Sequence, residues 1–247
     1  MKVVAVIQAR MGSTRLPGKV LKAIGGEPML ARVVERTRRA ASIDDVVIVT
    51  STRPTDLAIV ALCEARGWAC LQGSEEDVLD RYYQAARAST AGAVVRITAD
   101  CPLIDPEVID EVVGAFIERQ PQTAYASNLF PRRTFPRGLD AEVLRFDALE
   151  RVWQEARGHD EREHVTPYMH RHPERFAMHN VTREPDDSAM RWVVDTEADL
   201  GFVCAVYERL GNREDVTWRE VLRCLEQEPA LLRLNQHVQQ HALERAS

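Results

Sequence analysis

Short apolar runs alternate with longer amphipathic stretches through the first half of the chain. The apolar runs are four to six residues long and rich in β-branched side chains, which is typical of buried strands. They occupy residues 3–7, 46–50, 68–71 and 93–98. Around them apolar residues recur at helical spacing, and helices are predicted at 28–41, 55–66, 75–89 and 105–119. This alternation predicts a three-layer α/β fold with a mostly parallel sheet.

The alternation breaks after about residue 120 and is predicted to resume near residue 190. The elements predicted in this part are a strand at 139–144, a helix at 146–155, a strand at 191–195 and a helix at 197–210. We interpret 125–180 as a subdomain inserted into one domain that spans 1–247. Residues 215–247 are predicted to form a C-terminal extension, helical over 218–246.

The polar loop after the first strand concentrates positive charge. Residues 8–19 read Q-A-R-M-G-S-T-R-L-P-G-K, and their cations are Arg10, Arg15 and Lys19. A cationic loop at the carboxyl end of the first strand is where α/β folds bind anionic ligands. Forked guanidinium donors together with a mobile ammonium suit a triphosphate. The alternative is a solvated surface loop with scattered charge.

The glycines of this loop suit phosphate binding, but they match neither of two familiar phosphate loops. Gly12 and Gly18 can adopt backbone angles that turn N–H groups around a phosphate. A Walker A loop has four residues between its glycines and a Ser or Thr after its lysine. In this chain five residues separate the glycines, and Val20 follows Lys19. The loop also lacks the GxGxxG spacing of dinucleotide-binding proteins.

Two aspartates are predicted to lie where strands end. Asp100 follows the strand at 93–98, and Asp195 ends the strand predicted at 191–195. A triphosphate site requires Mg²⁺, which prefers carboxylates that leave room for phosphate oxygens and water. Each aspartate could instead cap a turn or a helix, and the residues alone leave both roles open.

Residues 8–19 resemble the N-terminal signature of the sugar cytidylyltransferases, which include the CMP-Kdo and CMP-acylneuraminate synthetases. The version with Gln8 is most similar to the spore-coat polysaccharide biosynthesis branch, and the resemblance extends to about residue 210. It implies a Rossmann-like, GT-A-like nucleotidyltransferase fold. It also implies Mg²⁺-dependent transfer of CMP from CTP to a sugar, an acidic sugar being favoured. The implied assembly is a homodimer in which the inserted subdomain shapes the sugar pocket and contacts the partner.

The resemblance assigns roles to individual residues. Asp100 and Asp195 look like the family's metal ligands, although Ala99 and Glu197 stand where the family often has Gly and Pro. The implied catalytic residues are Arg10, Arg15, Lys19 and Asp100. The implied nucleotide-binding residues are Gln8, Ala9, Arg10, Met11, Gly12, Lys19, Arg53, Asp77, Arg81 and Thr98. The implied substrate-binding residues are Asp140, Glu142, Arg162 and His164.

Structural roles stay open for several of these residues. Ser74 and Asp77 have the spacing of a capping box, which is enough to explain them. Asp140 and Glu142 would lie on one side of the strand predicted at 139–144, where they could recognise a sugar or form a solvated face. Asp199 suits the first turn of a helix better than a metal site.

Composition and charge exclude several classes of function. The 32 Lys and Arg residues against 38 Asp and Glu give a formal net charge of -6, which argues against nucleic-acid binding. No apolar run approaches the roughly 18 residues of a membrane span. Five scattered cysteines are typical of reduced thiols, so a cytoplasmic location is predicted. The histidines between residues 159 and 179 fit no zinc motif.

The sequence therefore predicts a CTP-dependent nucleotidyltransferase that serves surface polysaccharide or glycoconjugate synthesis. One alternative is a nucleotidyltransferase that uses another nucleoside triphosphate and a sugar 1-phosphate. A second is a glycosyltransferase, which would favour a D-x-D motif where this chain has Asp100-Cys101-Pro102. A third is a non-catalytic nucleotide-sensing subunit that has kept the pocket.

Overall fold

The computed structural model describes residues 1–239 as a seven-stranded sheet with helices on both faces, beside a small second sheet. The strands are Val3–Gln8 (β1), Ala23–Ile24 (β2), Glu27–Pro28 (β3), Asp45–Ser51 (β4), Ala69–Gly73 (β5), Ala93–Thr98 (β6), Tyr125–Ser127 (β7), Glu142–Arg145 (β8) and Met178–Asn180 (β9). The α-helices are Met29–Arg38 (α1), Leu57–Arg66 (α2), Val78–Ala88 (α3), Pro106–Glu118 (α4), Phe146–Glu155 (α5), His159–His164 (α6), Pro167–Arg171 (α7), Glu197–Arg209 (α8) and Trp218–Gln227 (α9). Short 3-10 helices lie at Lys19–Leu21, Pro54–Asp56 and Pro229–Leu234.

The large sheet has the strand order β5-β4-β1-β6-β8-β7-β9. Its first four strands in this order run parallel to one another, whereas β8 pairs with β6 and with β7 in the antiparallel sense. At the far edge β9 is parallel to β7. The prediction of a three-layer α/β fold with a mostly parallel sheet is confirmed.

Alternate residues of β1 enter two different cores, which explains why this strand is apolar throughout. Val3, Ala5 and Ile7 pack into the core on one face of the sheet. Val4 and Val6 pack into the core on the other face. A parallel sheet covered by helices buries both sides of its strands, so its sequence reads as a continuous apolar run.

Most predicted elements lie within a few residues of the observed ones. The strand at 93–98 and the helix at 146–155 have the predicted bounds. Residues 125–180, which we interpreted as an inserted subdomain, supply β7, β8 and β9 to the large sheet and carry α5, α6 and α7. This segment therefore extends the main sheet.

The predicted strand at 191–195 is wrong. Arg191 forms an isolated bridge with Arg137, and the Val194 N–H donates to the carbonyl of Asp100 at 2.9 Å. Because β1 and β8 occupy both edges of β6, the segment crosses the carboxyl end of β6 and does not join the sheet. Val194 is still fully buried, and burial is what the apolar pattern indicates.

The predicted C-terminal helix over 218–246 is shorter than expected. It ends at Gln227, and the 3-10 helix Pro229–Leu234 follows. Pro229 explains the break, because proline lacks an N–H and clashes with the preceding helical turn. Residues 240–247 lie outside the described residues. Within residues 1–239, no helix combines the length and the apolar character needed to cross a bilayer.

The backbone at Gly138 holds the crossing segment in place. Gly138 has a φ of +109°, a conformation that side chains disfavour, and it lies against the backbone of Trp192 and Val193. An added Cβ would approach the Trp192 carbonyl carbon and the Val193 nitrogen to 2.8 Å each. On either side of this approach, the Arg137 N–H donates to the Met190 carbonyl and the Trp192 N–H to the Arg137 carbonyl.

We expect Gly138→Ala to lower the free energy of unfolding, because it combines backbone strain of about 1–3 kcal/mol with a backbone clash. Urea unfolding measures the change. Gly201→Ala is the matched control, since Gly201 lies within α8 with open space at its Cβ position. In that helix alanine should stabilise by about 0.5–1 kcal/mol. Equal effects of the two substitutions would contradict the role given to Gly138.

Candidate active site

A cavity of about 310 Å³ opens where β1 and β6 end. Gln8 and Thr98, the last residues of these two strands, lie opposite each other in the sheet. Arg96 precedes Thr98 by two positions, so strand alternation turns both toward the cavity while Ile97 enters a core. The cavity is lined by Gln8, Arg10, Gly12, Ser13, Thr14, Arg15, Lys19, Val20, Arg96, Thr98, Ala99, Asp100, His164 and Asp195.

The loop after β1 folds back on itself and returns Lys19 to the cavity. The Gly18 N–H donates to the Met11 carbonyl at 3.1 Å, and the Lys19 N–H donates to the Leu16 carbonyl at 3.2 Å. Gly18 has the left-handed φ of +66° that glycine tolerates, as the sequence predicted for this loop. Gly12 does not have a left-handed backbone, and its Cβ position is open.

Asp56 anchors this loop, and the sequence analysis missed it. Its carboxylate is 2% exposed, and it accepts hydrogen bonds from the Met11 N–H at 2.8 Å and the Ser51 hydroxyl at 2.5 Å. The Ser51 N–H and the Thr50 hydroxyl also donate to it, each at 3.3 Å. Asp56 therefore ties the start of the cationic loop to the end of β4. The one signal in the sequence was an aspartate shortly after a buried strand.

Lys19 joins the two predicted metal ligands. Its Nζ lies 2.9 Å from a carboxylate oxygen of Asp100, 2.9 Å from one of Asp195 and 2.8 Å from the Val194 carbonyl oxygen. Burial lowers the pKa of Lys19, but the charges of both carboxylates more than reverse this effect, so the pKa is raised overall. The amine is therefore a firmly protonated cation held by three oxygens, which we call the oxygen cradle.

Arg191 fixes the second carboxylate from the other side. It donates from Nη2 to Asp195 at 2.8 Å and from Nε to Asp199 at 2.9 Å. Thr196 caps α8 and forms a capping box with Asp199, so Asp195 is not the helix cap. Arg15 adds a third cation near Asp195, at 3.3 Å. Burial raises the pKa of Asp195, but Lys19, Arg191 and Arg15 outweigh it and lower the pKa overall.

Asp199 is fully buried and saturated by its neighbours. It accepts hydrogen bonds from Arg191, Thr196 and the Asp195 N–H, and also from Asn235 at 3.1 Å. This agrees with the prediction that Asp199 lies in the first turn of a helix and is not a metal ligand. Within residues 1–239 no group of three or more His, Cys, Asp and Glu side chains is placed to hold a metal ion. The groups at the cavity that could ligate a metal are the two carboxylates and the one carbonyl of the oxygen cradle.

Glu142 lies behind the cavity wall and orients Arg96. Its side chain accepts from Arg96 at 2.6 Å, from the Tyr125 hydroxyl at 2.8 Å and from the Thr166 hydroxyl at 3.1 Å, and the residue is 1% exposed. Burial opposes the charge on Arg96, but the adjacent Glu142 raises the pKa of Arg96 overall. The structure thus places Glu142, predicted to bind substrate, one layer away from the cavity.

His164 is the predicted substrate-binding residue that lines the cavity. Burial lowers its pKa, and the cations Arg96 and Arg10 act in the same direction. Its imidazole is therefore neutral near pH 7. Next to it Glu163 forms a long ion pair with Arg10 at 3.5 Å, which connects α6 to the cationic loop.

Two predicted site residues pair with each other outside the cavity. Arg162 donates to both carboxylate oxygens of Asp77, at 3.0 and 2.5 Å. Asp77 also caps α3 by accepting from the Asp80 N–H at 2.9 Å. The helix therefore begins one residue after Asp77. The predicted hydrogen bond from the Asp77 N–H to the Ser74 hydroxyl is formed at 3.3 Å, but Asp77, and not Ser74, is the residue that caps the helix.

Four other predicted nucleotide-binding residues do not line the cavity. Ala9 is buried and its N–H donates to the Val49 carbonyl, while Met11 is bound through its N–H to Asp56. Arg53 is exposed and pairs with Glu75. Arg81 is 1% exposed, and within residues 1–239 its guanidinium nitrogens have no hydrogen-bond partner.

Asp140 belongs to a cluster of arginines beside the site. Both of its oxygens accept from Arg133. Asp140 precedes β8, so it does not lie with Glu142 on one face of that strand as expected. Arg137 is half-buried next to this pair, and within the described residues no ion pair or side-chain hydrogen bond of its guanidinium is found. Burial, followed by the charge of Arg133, lowers the pKa of Arg137.

Comparison with known proteins identifies relatives over nearly the whole chain. A sequence model described as cytidylyltransferase matches residues 4–234. The chain is 34% identical to the spore coat polysaccharide biosynthesis protein SpsF of Bacillus subtilis, over 91% of this chain and 94% of that protein. It is 34% identical to an uncharacterized protein of Methanocaldococcus jannaschii, over 97% of each chain. It is 42% identical to a 3-deoxy-manno-octulosonate cytidylyltransferase of Anaeromyxobacter dehalogenans, over 46% of each chain.

Solved structures resemble the whole fold. A cytidylyltransferase of Leptospira borgpetersenii is 31% identical and superposes with a TM-score of 0.90, over 98% of this chain and 100% of that chain. A CMP:2-keto-3-deoxy-manno-octonic acid synthetase complexed with CTP superposes with a TM-score of 0.66, over 85% of this chain and 100% of that chain. At 21% identity the second likeness is one of fold alone.

We expect Asp56→Ala to destabilise the protein, because it leaves the Met11 N–H and the Ser51 hydroxyl without their buried acceptor. Each unsatisfied donor costs about 1–3 kcal/mol, which urea unfolding measures. Asp45→Ala is the control at the other end of β4, since Asp45 is exposed and forms a surface pair with Lys2 that contributes less than about 1 kcal/mol. A loss from Asp56→Ala no larger than from Asp45→Ala would contradict the anchoring role.

Proposed function

The chain belongs to the cytidylyltransferase family of nucleotidyltransferases, and we propose that it transfers CMP from CTP to a sugar with release of pyrophosphate. Such a product serves surface polysaccharide or glycoconjugate synthesis. The observation that carries the proposal is the cavity in which the cations Arg10, Arg15 and Lys19 meet Asp100 and Asp195. Three cations suit a triphosphate, and two carboxylates suit the metal ion that accompanies it.

The oxygen cradle fits Mg²⁺ by the chemistry of its donors. Asp100 and Asp195 supply hard carboxylate oxygens, Val194 supplies a carbonyl oxygen, and all three already converge on one cation. Mg²⁺ is commonly held by one or two carboxylates, with phosphate oxygens and water completing its shell. In the proposed reaction Asp100 and Asp195 would hold Mg²⁺, which would neutralise phosphate charge when bound.

The reaction we propose requires positioning and charge more than a side-chain nucleophile. A hydroxyl oxygen of the sugar bonds to the α-phosphorus, the bond to pyrophosphate breaks, and the hydroxyl proton passes to solvent or to a nearby base. Arg10 and Arg15 would neutralise the pyrophosphate as it leaves. Gln8, Gly12 and Thr98 line the same cavity and would contact the nucleotide.

The surroundings of Arg137 support the proposal that the acceptor is an acidic sugar. The backbone of Arg137 is bound on both sides by the crossing segment that leads to Asp195. The neighbouring arginines differ from it in being neutralised, Arg133 by Asp140 and Arg191 by Asp195 and Asp199. A half-buried guanidinium without an anion in the described residues suits a carboxylate that arrives with the substrate. We propose that Arg137 and the neutral His164 face the sugar.

Several of the predicted binding residues do not line the cavity. The half-buried pair of Asp77 with Arg162, the exposed Arg53 and the buried Arg81 would act on the nucleotide or the sugar only if they rearrange or act through neighbours. The homodimer and the cytoplasmic location stay predictions.

The test of this function is calorimetric titration of the protein with CTP, UTP, GTP and ATP, each with and without Mg²⁺. We expect selective CTP binding that requires the metal, and loss of the metal dependence in Asp195→Asn. Preference for another triphosphate would favour the sugar 1-phosphate alternative. Binding of a nucleoside diphosphate sugar alone would favour a glycosyltransferase.

We expect Arg137→Met to raise KM for an acidic sugar and to leave KM for CTP unchanged. A hydrogen bond to a charged group contributes about 1.5–3 kcal/mol, which corresponds to an increase of roughly 10- to 100-fold. Pyrophosphate release with Kdo and N-acetylneuraminate as acceptors measures it. Arg132→Met is the control, because Arg132 is 63% exposed and pairs with Asp186. Equal increases in both variants would contradict the assignment.

A further inference from the structure

The oxygen cradle is saturated by Lys19. A lysine ammonium has three N–H donors, and Nζ of Lys19 has three oxygens at 2.8–2.9 Å. The side chain is 11% exposed, and the side chains of its partners Asp100 and Asp195 are 25% and 15% exposed. All three donors are therefore used in a site that is largely closed to water.

A divalent cation cannot share the cradle with this ammonium. Mg²⁺ binds oxygens at about 2.0–2.1 Å, so it would lie beside Nζ with no anion between them. The two cations would repel strongly in a partly buried site. Binding of the metal to the oxygens of Asp100 and Asp195 therefore requires Nζ to leave.

The charge around the cradle also disfavours a metal ion on its own. Asp195 already faces Lys19, Arg15 and Arg191, whereas Asp100 pairs with Lys19. In the described protein, the carboxylates that would hold a metal are thus neutralised by side chains. A triphosphate in the cavity would reverse this balance, because it brings several negative charges next to the same cations.

Lys19 can move without a change in the backbone. Its N–H donates to the Leu16 carbonyl and its carbonyl accepts from the Lys22 N–H, so the main chain is fixed in the 3-10 turn. The ammonium is carried on a four-carbon stem with several rotatable bonds. A phosphate oxygen at the cavity wall beside Arg15 would therefore offer Nζ a new partner at the cost of a rotamer change.

We infer that Lys19 occupies the metal position in the nucleotide-free protein, so that a divalent cation binds there only when a triphosphate draws the ammonium away. The inference rests on the proposed function, because it takes Asp100 and Asp195 as the metal ligands. Lys19 thereby couples metal binding to nucleotide binding. The metal enters with the nucleotide, and the carboxylates are not occupied by stray cations between turnovers.

The test is a titration of the nucleotide-free protein with Mn²⁺, in which electron paramagnetic resonance measures the Mn²⁺ that remains free. If Lys19 holds the cradle at least nine-tenths of the time, then Lys19→Met should bind Mn²⁺ about tenfold more tightly than wild type, or better. Lys19→Arg, which keeps the charge, should show no such gain. Lys22→Met is the matched control, since Lys22 is three residues on and pairs with Glu197 outside the cavity.

Two further measurements keep the outcomes distinct. The double substitution Lys19→Met with Asp100→Asn should lose the gain, which assigns the bound Mn²⁺ to the cradle. Circular dichroism checks that each variant is folded. If Lys19→Met does not fold, Lys19→Gln, which is neutral but still polar, replaces it in the comparison.

Equal Mn²⁺ affinity of wild type and the folded neutral variants would overturn the inference. In that case Mn²⁺-dependent binding of CTP to wild type would still support the proposed function. Absence of metal-dependent CTP binding in wild type would overturn the proposed function itself. A gain that Lys22→Met shows as well would also overturn the inference, because it would report a general loss of positive charge.

Discussion

The contact of one buried ammonium with two carboxylates organises this molecule. Lys19 comes from the loop after β1, Asp100 from the end of β6 and Asp195 from the segment that precedes α8. These three parts of the chain are far apart in sequence. The loop after β1 and the end of β6 meet because the carboxyl ends of adjacent parallel strands face the same edge of the sheet. The segment with Asp195 reaches them by crossing the end of β6. Opposite charge then fixes their distance, and the cavity is the space that remains beside them.

A surrounding set of buried hydrogen bonds holds this contact in register. Asp56 binds the backbone of the cationic loop, and Arg191 binds Asp195 together with Asp199 at the start of α8. Glu142 does the same for Arg96 on the far side of the cavity. Leaving a buried charge without its partner is costly, so each of these pairing partners also constrains position.

Pairing also explains why several predicted site residues lie elsewhere. Arg162 and Asp77 neutralise each other at the start of α3, and Arg53 pairs with Glu75. Their residue types were those of a nucleotide site, but each of these charges is paired with another side chain away from the cavity. Arg137, which was not among the residues assigned to the substrate, is half-buried and forms no ion pair within the described residues.

The sequence by itself determined the layer architecture and the cationic loop after β1. Both are local properties: apolar runs report burial, and the order of residues 8–19 reports the charge of one loop. Only the tertiary structure decided that 191–195 crosses the sheet end, that Asp56 anchors the loop and that Lys19 fills the oxygen cradle. These facts depend on which edges of β6 are occupied and which charges meet across long separations, and no local pattern encodes either.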